Sequence, residues 1–193
     1  MLCTVELKIR TMNLAKLTDD GIDKDIVIIA VGNGACNCIR NMVNEPDVQN
    51  MHLFLCNNGN SSYGDDSEKC RQDTINMLPD IDAILDDNVK KVILVSTLGG
   101  CTGSVATPIL AEYITKKRVE VYCIVSLPFI FEGEQTMKKA QKAVAEMSLF
   151  SMQTLIFNSE LYRRQSCNQS VIRFFILIDK YFHKSIFSIS KGR

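Results

Sequence analysis

The sequence predicts an α/β fold, a parallel β-sheet with helices on both faces, and three observations predict it. Short apolar runs alternate with longer helix-patterned stretches along the chain. The apolar runs are nearly continuous rather than alternating, as strands covered on both sides must be. Two of them end in glycine-rich turns, Gly32-Asn33-Gly34 and Gly99-Gly100-Cys101-Thr102-Gly103-Ser104, which in such a fold lie at the carboxyl edge of the sheet where ligands bind. The chain has 193 residues, 46% of them hydrophobic, enough for one sizeable core.

Residues 25–31 (DIVIIAV) read as a first buried strand ending at Gly32. A helix through Ile39, Met42 and Val43 follows, stopped by Pro46 and Asp47. Residues 51–56 (MHLFLC) read as a second strand, closed by the polar loop NNGNSSYGDDSE. Helical pattern resumes over 70–87, with a break expected at Pro79, and residues 92–96 form a third strand. A helix through 107–117, a fourth strand over 119–126, a long amphipathic helix over 132–147 and a fifth strand over 154–157 complete the alternation. Residues 170–186 are helix-like again.

The 22 basic and 22 acidic side chains cancel, which removes the global attraction expected of a nucleic-acid binder and points to a small-molecule or protein partner. The charges are unevenly spread. Residues 162–193 carry seven Lys or Arg and one acid, Asp179, leaving the body acidic. No run is long and apolar enough for a membrane span, and the start lacks the apolar segment of a secretory leader. Eight dispersed cysteines without a CxxC pair fit a reducing cytoplasm better than a disulfide scaffold. The same spacing, with only His52 and His183, makes zinc an unsuitable ligand.

Each glycine turn lets the backbone approach a ligand and aims unpaired helix-start amides at it, an arrangement suited to phosphate. Asn37 stands where a dinucleotide fingerprint would have its third glycine, which weakens the nicotinamide-dependent Rossmann oxidoreductase alternative. The same turn also reads as a tight strand-to-helix connection with no ligand. Two such nests on one sheet edge imply a polyphosphate, and without GK[ST] neither is a Walker A loop.

Four segments resemble FtsZ, the bacterial tubulin-like division GTPase family. AVGNGACNCIRNM resembles its first glycine loop, STLGGCTGSVATPILAEY its phosphate loop, IVSLPFIFEGEQTMKKA its ribose-contacting segment, and TLIFNSEL the strand end presenting a base-contacting asparagine. The resemblance covers residues 25–161 and implies a Rossmann-like nucleotide-binding domain of the tubulin/FtsZ type. It leaves 1–24 as an N-terminal extension and 162–193 as a basic, divergent helix and tail. It implies GTP or GDP as ligand, with magnesium accompanying the nucleotide, and FtsZ or a second copy as partner.

By this resemblance, Gly32, Asn33, Gly34 and Asn37 line the nucleotide, and Gly99, Gly100, Cys101, Thr102, Gly103 and Ser104 wrap the β- and γ-phosphates. Glu132 holds the ribose and Asn158 faces guanine, with Phe175 under the base and Asp179 nearby. From the residues alone, Glu132 reads equally as a helix-start acid and Asn158 as a helix cap. Phe129 and Phe131 read as core, and Met137, Met147 and Met152 as packing residues.

The departures from the family weaken catalysis. Ala35, Cys36, Cys101 and Val105 stand where the family has glycines, and a positive φ at any of them would cost ~1 kcal/mol or more. Asn57-Asn58-Gly59 lacks the family's carboxylate, Thr136 replaces an arginine, and Lys180 falls where the guanine-reading aspartate belongs. The expected second domain and its acidic loop do not follow, so hydrolysis is expected to be weak or lost. The basic, apolar end has two readings. It is the product of a premature stop or frame change in a degenerate gene copy, or it is a short form whose final helix docks on its own sheet or on an FtsZ partner. The latter suggests a non-catalytic filament cap.

Overall fold

The computed structural model describes residues 25–42, the backbone of 52–56, and residues 66–165 and 171–191. The extension 1–24, the helix stop at Pro46 and Asp47, the Asn57-Asn58-Gly59 strand end, Cys3 and Cys167 lie outside the described residues.

Five strands, β1 (Ile26–Val31), β2 (His52–Cys56), β3 (Lys91–Thr97), β4 (Glu120–Leu127) and β5 (Gln153–Asn158), form one parallel sheet in the order β2-β1-β3-β4-β5. The helices are α1 (Asn33–Met42), α2 (Ser67–Asn76), α3 (Leu78–Asp82), α4 (Cys101–Lys116), α5 (Glu134–Ser148), α6 (Ser159–Gln165) and α7 (Val171–Ser190).

Each central strand is buried on both faces, which explains its unbroken apolar run. Val27, Ile29 and Val31 pack on one side with Leu110 and Ile114 of α4, Ala143 and Met147 of α5, and Ile81 of α3. Ile26, Ile28 and Ala30 pack on the other with Ile39 of α1 and Ile178, Phe182 and Ile186 of α7. Fully burying one such aliphatic side chain contributes about 1.5–3 kcal/mol, so these two layers hold the sheet between them. The basic, divergent end is therefore not a detached tail over its helical part: α7 is seated on the sheet beside α1.

Two helix boundaries differ from the sequence reading. The break before α3 falls at Met77, two residues ahead of Pro79, which sits in the first turn of α3. A proline there forfeits no helical hydrogen bond and starts a helix rather than ending one. The helix expected from 132 begins at Glu134, because a single 3₁₀ turn, Ile130–Glu132, and Gly133 at φ 102° come first. As expected from the glycine-rich turn, α4 starts at Cys101, and it carries Pro108 in its interior.

Candidate functional site

The sheet order brings the two glycine turns together. β1 and β3 are neighbours, with Val31 paired to Ser96 at their carboxyl ends. The connection from β1 runs outward to β2 through α1 on one face, while that from β3 runs the other way to β4 through α4 on the opposite face. Such a switch point leaves a crevice between two helix starts.

The two turns come close to each other across the crevice. Gly32 has φ 86°, and a Cβ placed on it would lie 3.6 Å from the Gly103 nitrogen and 3.8 Å from Thr102 Cβ. Thr97, the last residue of β3, seats both helix starts. A Cβ on Gly34 would run into its side chain, and one on Gly103 into its carbonyl oxygen. Nothing in the sequence reading singled out Thr97, although a hydroxyl residue ending the strand before Leu98-Gly99-Gly100 was a signal for it.

The backbone amides at the two starts face no helical acceptor. In α1 the first helical bond is Cys36 N–H to the Gly32 carbonyl (3.0 Å), and in α4 it is Ser104 N–H to the Gly100 carbonyl (3.2 Å). The N–H groups of Asn33, Gly34 and Ala35, and of Cys101, Thr102 and Gly103, precede those bonds and suit an anion. Ser104 differs from a phosphate ligand in one respect: its Oγ accepts the Gly99 N–H at 2.9 Å, bracing the turn. Gly99 has φ 105° and is packed under Thr136 and Pro128, while Gly100 is exposed.

The four residues in place of family glycines impose no backbone strain. Ala35 and Cys36 are in α1, and Cys101 and Val105 in α4. Arg118 is the one non-glycine residue with positive φ among the described residues. The expectation that these substitutions distort the nest is thus answered by their helical conformation. Cys36 points into the sheet layer, its thiol donating to the Ala30 carbonyl at 3.5 Å, and burial pushes the thiol up to about 11. Cys101 points towards α2, where its thiol donates to Ser67 Oγ at 3.7 Å.

The remaining candidates have partners of their own. Asn37, exposed one turn along α1, accepts from Arg40 at 3.0 Å. The Glu132 carboxylate accepts the Phe129 N–H at 2.7 Å and so closes its own 3₁₀ turn. Asn158, at the carboxyl end of β5, accepts the Leu161 N–H at 2.9 Å and caps α6. Phe175 is 53% exposed near the start of α7. Asp179, one turn further on, accepts from Asn41 at 3.0 Å, joining α7 to the far half of α1.

Phe129 and Phe131 are not core residues. They stack on each other with centroids 4.8 Å apart, and Phe131 is 73% exposed. Phe129 also meets Phe174 of α7 (4.7 Å), which meets Phe157 of β5. Met147 is buried as expected, but Met152 is largely exposed. Glu160, unremarked in the sequence reading, is buried and receives Arg163 at 2.7 Å and Arg164 at 2.9 Å, which with the nearby Ile130 backbone lower its carboxyl to about 2. Its spacing to two arginines three and four residues on was the visible signal.

The model of the Tubulin/FtsZ family, GTPase domain, matches residues 49–165, which include the whole second turn and β3 to β5. The chain belongs to the tubulin/FtsZ family. Among curated relatives, the cell division protein FtsZ of Porphyromonas gingivalis is 28% identical over 76% of this chain and 36% of its own length. The mitochondrial division protein fszB of Dictyostelium discoideum is 23% identical over 86% of this chain and 51% of its own. Among solved structures, an empty FtsZ dimer of M. jannaschii superposes with TM-score 0.72 at 17% identity, over 86% of this chain and 54% of that one. A GTPgS-bound CetZ2 protofilament of Haloferax volcanii gives 0.68 at 16% identity, over 86% and 58%. The chain thus spans about a third to a half of the curated relatives it matches, and the structural likenesses establish the tubulin/FtsZ type of Rossmann-like sheet.

Proposed function

We propose that this member of the tubulin/FtsZ family binds a guanine nucleotide, GTP or GDP, with its phosphates between the amino ends of α1 and α4. The observation that carries the reading is the close approach of Gly32 to Thr102 and Gly103, which sets two helix starts side by side. Asn33, Gly34 and Asn37 line it from α1, and Gly99, Gly100, Cys101 and Ser104 complete it from α4, with magnesium accompanying the phosphates. Glu132 holds the ribose, and Asn158 and Phe175 flank the base, with Asp179 behind them.

The same reading makes turnover by the isolated chain slow. A water attacking a phosphate must be oriented by a basic or carboxylate group. The described carboxylates around this edge are already engaged: Asp66 with the Lys69 N–H, Glu132 with Phe129, Asp179 with Asn41, and Glu160 with its two arginines. A second reading, a cytoplasmic partner that caps FtsZ filaments, is favoured by the exposed apolar side chains of Phe131, Leu161, Tyr162 and Phe175 near the nucleotide edge.

Calorimetric titration of the chain with GTP, GDP and ATP, with and without magnesium, tests the binding reading. Heat of binding is expected for the guanine nucleotides and a loss of it in Gly32→Val, whose side chain would stand against Thr102. A flat trace for every nucleotide overturns it. For the capping reading, light scattering of FtsZ assembly should fall with substoichiometric additions, and unchanged assembly would remove it.

A further inference from the structure

The start of α4 carries a second chemistry where it meets the start of α2. Cys101, its first residue, sends its thiol to Ser67 at the start of α2. Cys70 lies three residues beyond Ser67, on the same face of α2, and is fully buried. The neighbouring Cys101 thiol adds to the burial that holds the Cys70 thiol up at about 12. Cys101 is half-buried and adjoins the exposed Gly100, so an oxidant reaches it before it reaches Cys70.

We propose that Cys70 and Cys101 form a modification site, a dithiol that a peroxide converts into a disulfide joining α2 to the first turn of α4. The Cys101 sulfur attacks a peroxide oxygen; the S–O bond forms, the O–O bond breaks and one water leaves, giving a sulfenic acid. The Cys70 sulfur then attacks the Cys101 sulfur; the S–S bond forms, the S–O bond breaks and a second water leaves. The two thiols lose two electrons and two protons, the peroxide is reduced to two waters, and an added thiol reductant reverses the change. The bond would anchor the turn bearing the Cys101, Thr102 and Gly103 amides to α2, towards which Cys101 points.

The inference rests on the packing of α2 against α4 and does not require that a nucleotide binds, so the two readings fail separately. The test is hydrogen peroxide treatment of the intact chain, alkylation of remaining thiols, and peptide mapping without reduction. The Cys70–Cys101 linked peptide should exceed every other disulfide by about tenfold, reflecting reaction at the accessible thiol followed by capture by its neighbour. In Cys70→Ser, dimedone should trap Cys101 as the sulfenic acid at a several-fold higher yield than in the unmutated chain. In Cys101→Ser, Cys70 should stay unmodified. A principal disulfide to any of the other six cysteines, or a Cys70 oxidised while Cys101 remains a thiol, overturns the proposal. So does a chain that loses no hydrogens under conditions that oxidise a free cysteine peptide.

Discussion

Replacing Gly103 by alanine tests whether the start of α4 is seated on the end of β3 as described. The added Cβ would meet the Thr97 carbonyl oxygen, a backbone atom that cannot turn aside, and Ser96 Oγ at 2.8 Å. Relieving that contact requires the first turn of α4 to lift off the strand, an overpacking cost of about 2–3 kcal/mol at the upper part of the usual range. Alanine regains about 1 kcal/mol through its higher helix propensity, leaving a net loss of about 1–2 kcal/mol. With a urea slope of about 2 kcal/mol per molar, the midpoint should fall by about 0.5–1 M. Gly100→Ala is the internal control: its Cβ meets nothing within 4 Å and its φ of −74° suits any residue. Its midpoint should move by less than about 0.25 M, since a small unfolded-state gain is offset by a poorer cap. Urea unfolding followed by circular dichroism reads both. A Gly103→Ala midpoint equal to or above that of the unmutated chain would refute the close approach of α4 to β3, and with it the shared cradle.

Three further outcomes are expected. The folded Glu160 carboxyl is held at about 2, below its ordinary 4.5, so its contribution is present above pH 4.5 and is lost as pH falls towards 2; the stability difference between the unmutated chain and Glu160→Gln should shrink over that window in urea titrations at successive pH values. Cys36, buried and raised to about 11, should resist a thiol reagent at pH 8 in the folded chain and react on unfolding, as followed by mass spectrometry of labelled peptides. Phe157→Ala removes a 2% exposed ring that touches Tyr162, Phe174 and Tyr181, and should cost about 3–5 kcal/mol, with hydrogen exchange quickening first in α7.

Much of the strand and helix order was legible because it follows from local pattern. The apolar run VILVS is a strand buried on both faces, as its unbroken pattern implied, and Gly32 and Gly99 mark turns needing positive φ, which both adopt. Pro79 misled because proline breaks a helix interior but suits a first turn, and which of these applied depended on where α3 began. Phe129 and Phe131 misled for a different reason. Their hydrophobicity is a property of the residue, whereas their place depends on the 3₁₀ turn at Ile130–Glu132, which leaves Phe131 exposed and Phe129 only partly buried against Phe174.

By itself, the sequence determined that this chain forms a layered α/β sheet, that two glycine turns interrupt it at strand ends, and that four of its segments are of tubulin/FtsZ kind. These are statements about residues close along the chain, where periodicity, φ preference and motif spacing act directly. Only the tertiary structure decided that β1 and β3 are neighbours, that Gly32 therefore lies close to Thr102 and Gly103, and that Thr97 seats both helix starts. The tertiary structure likewise brought Asp179 to Asn41, whereas Glu132 and Asn158 find partners three residues away, within reach of the local reading. The physical reason is that a polar side chain takes whichever partner the packed elements bring within about 3 Å, and that choice is made through space after the layers have formed.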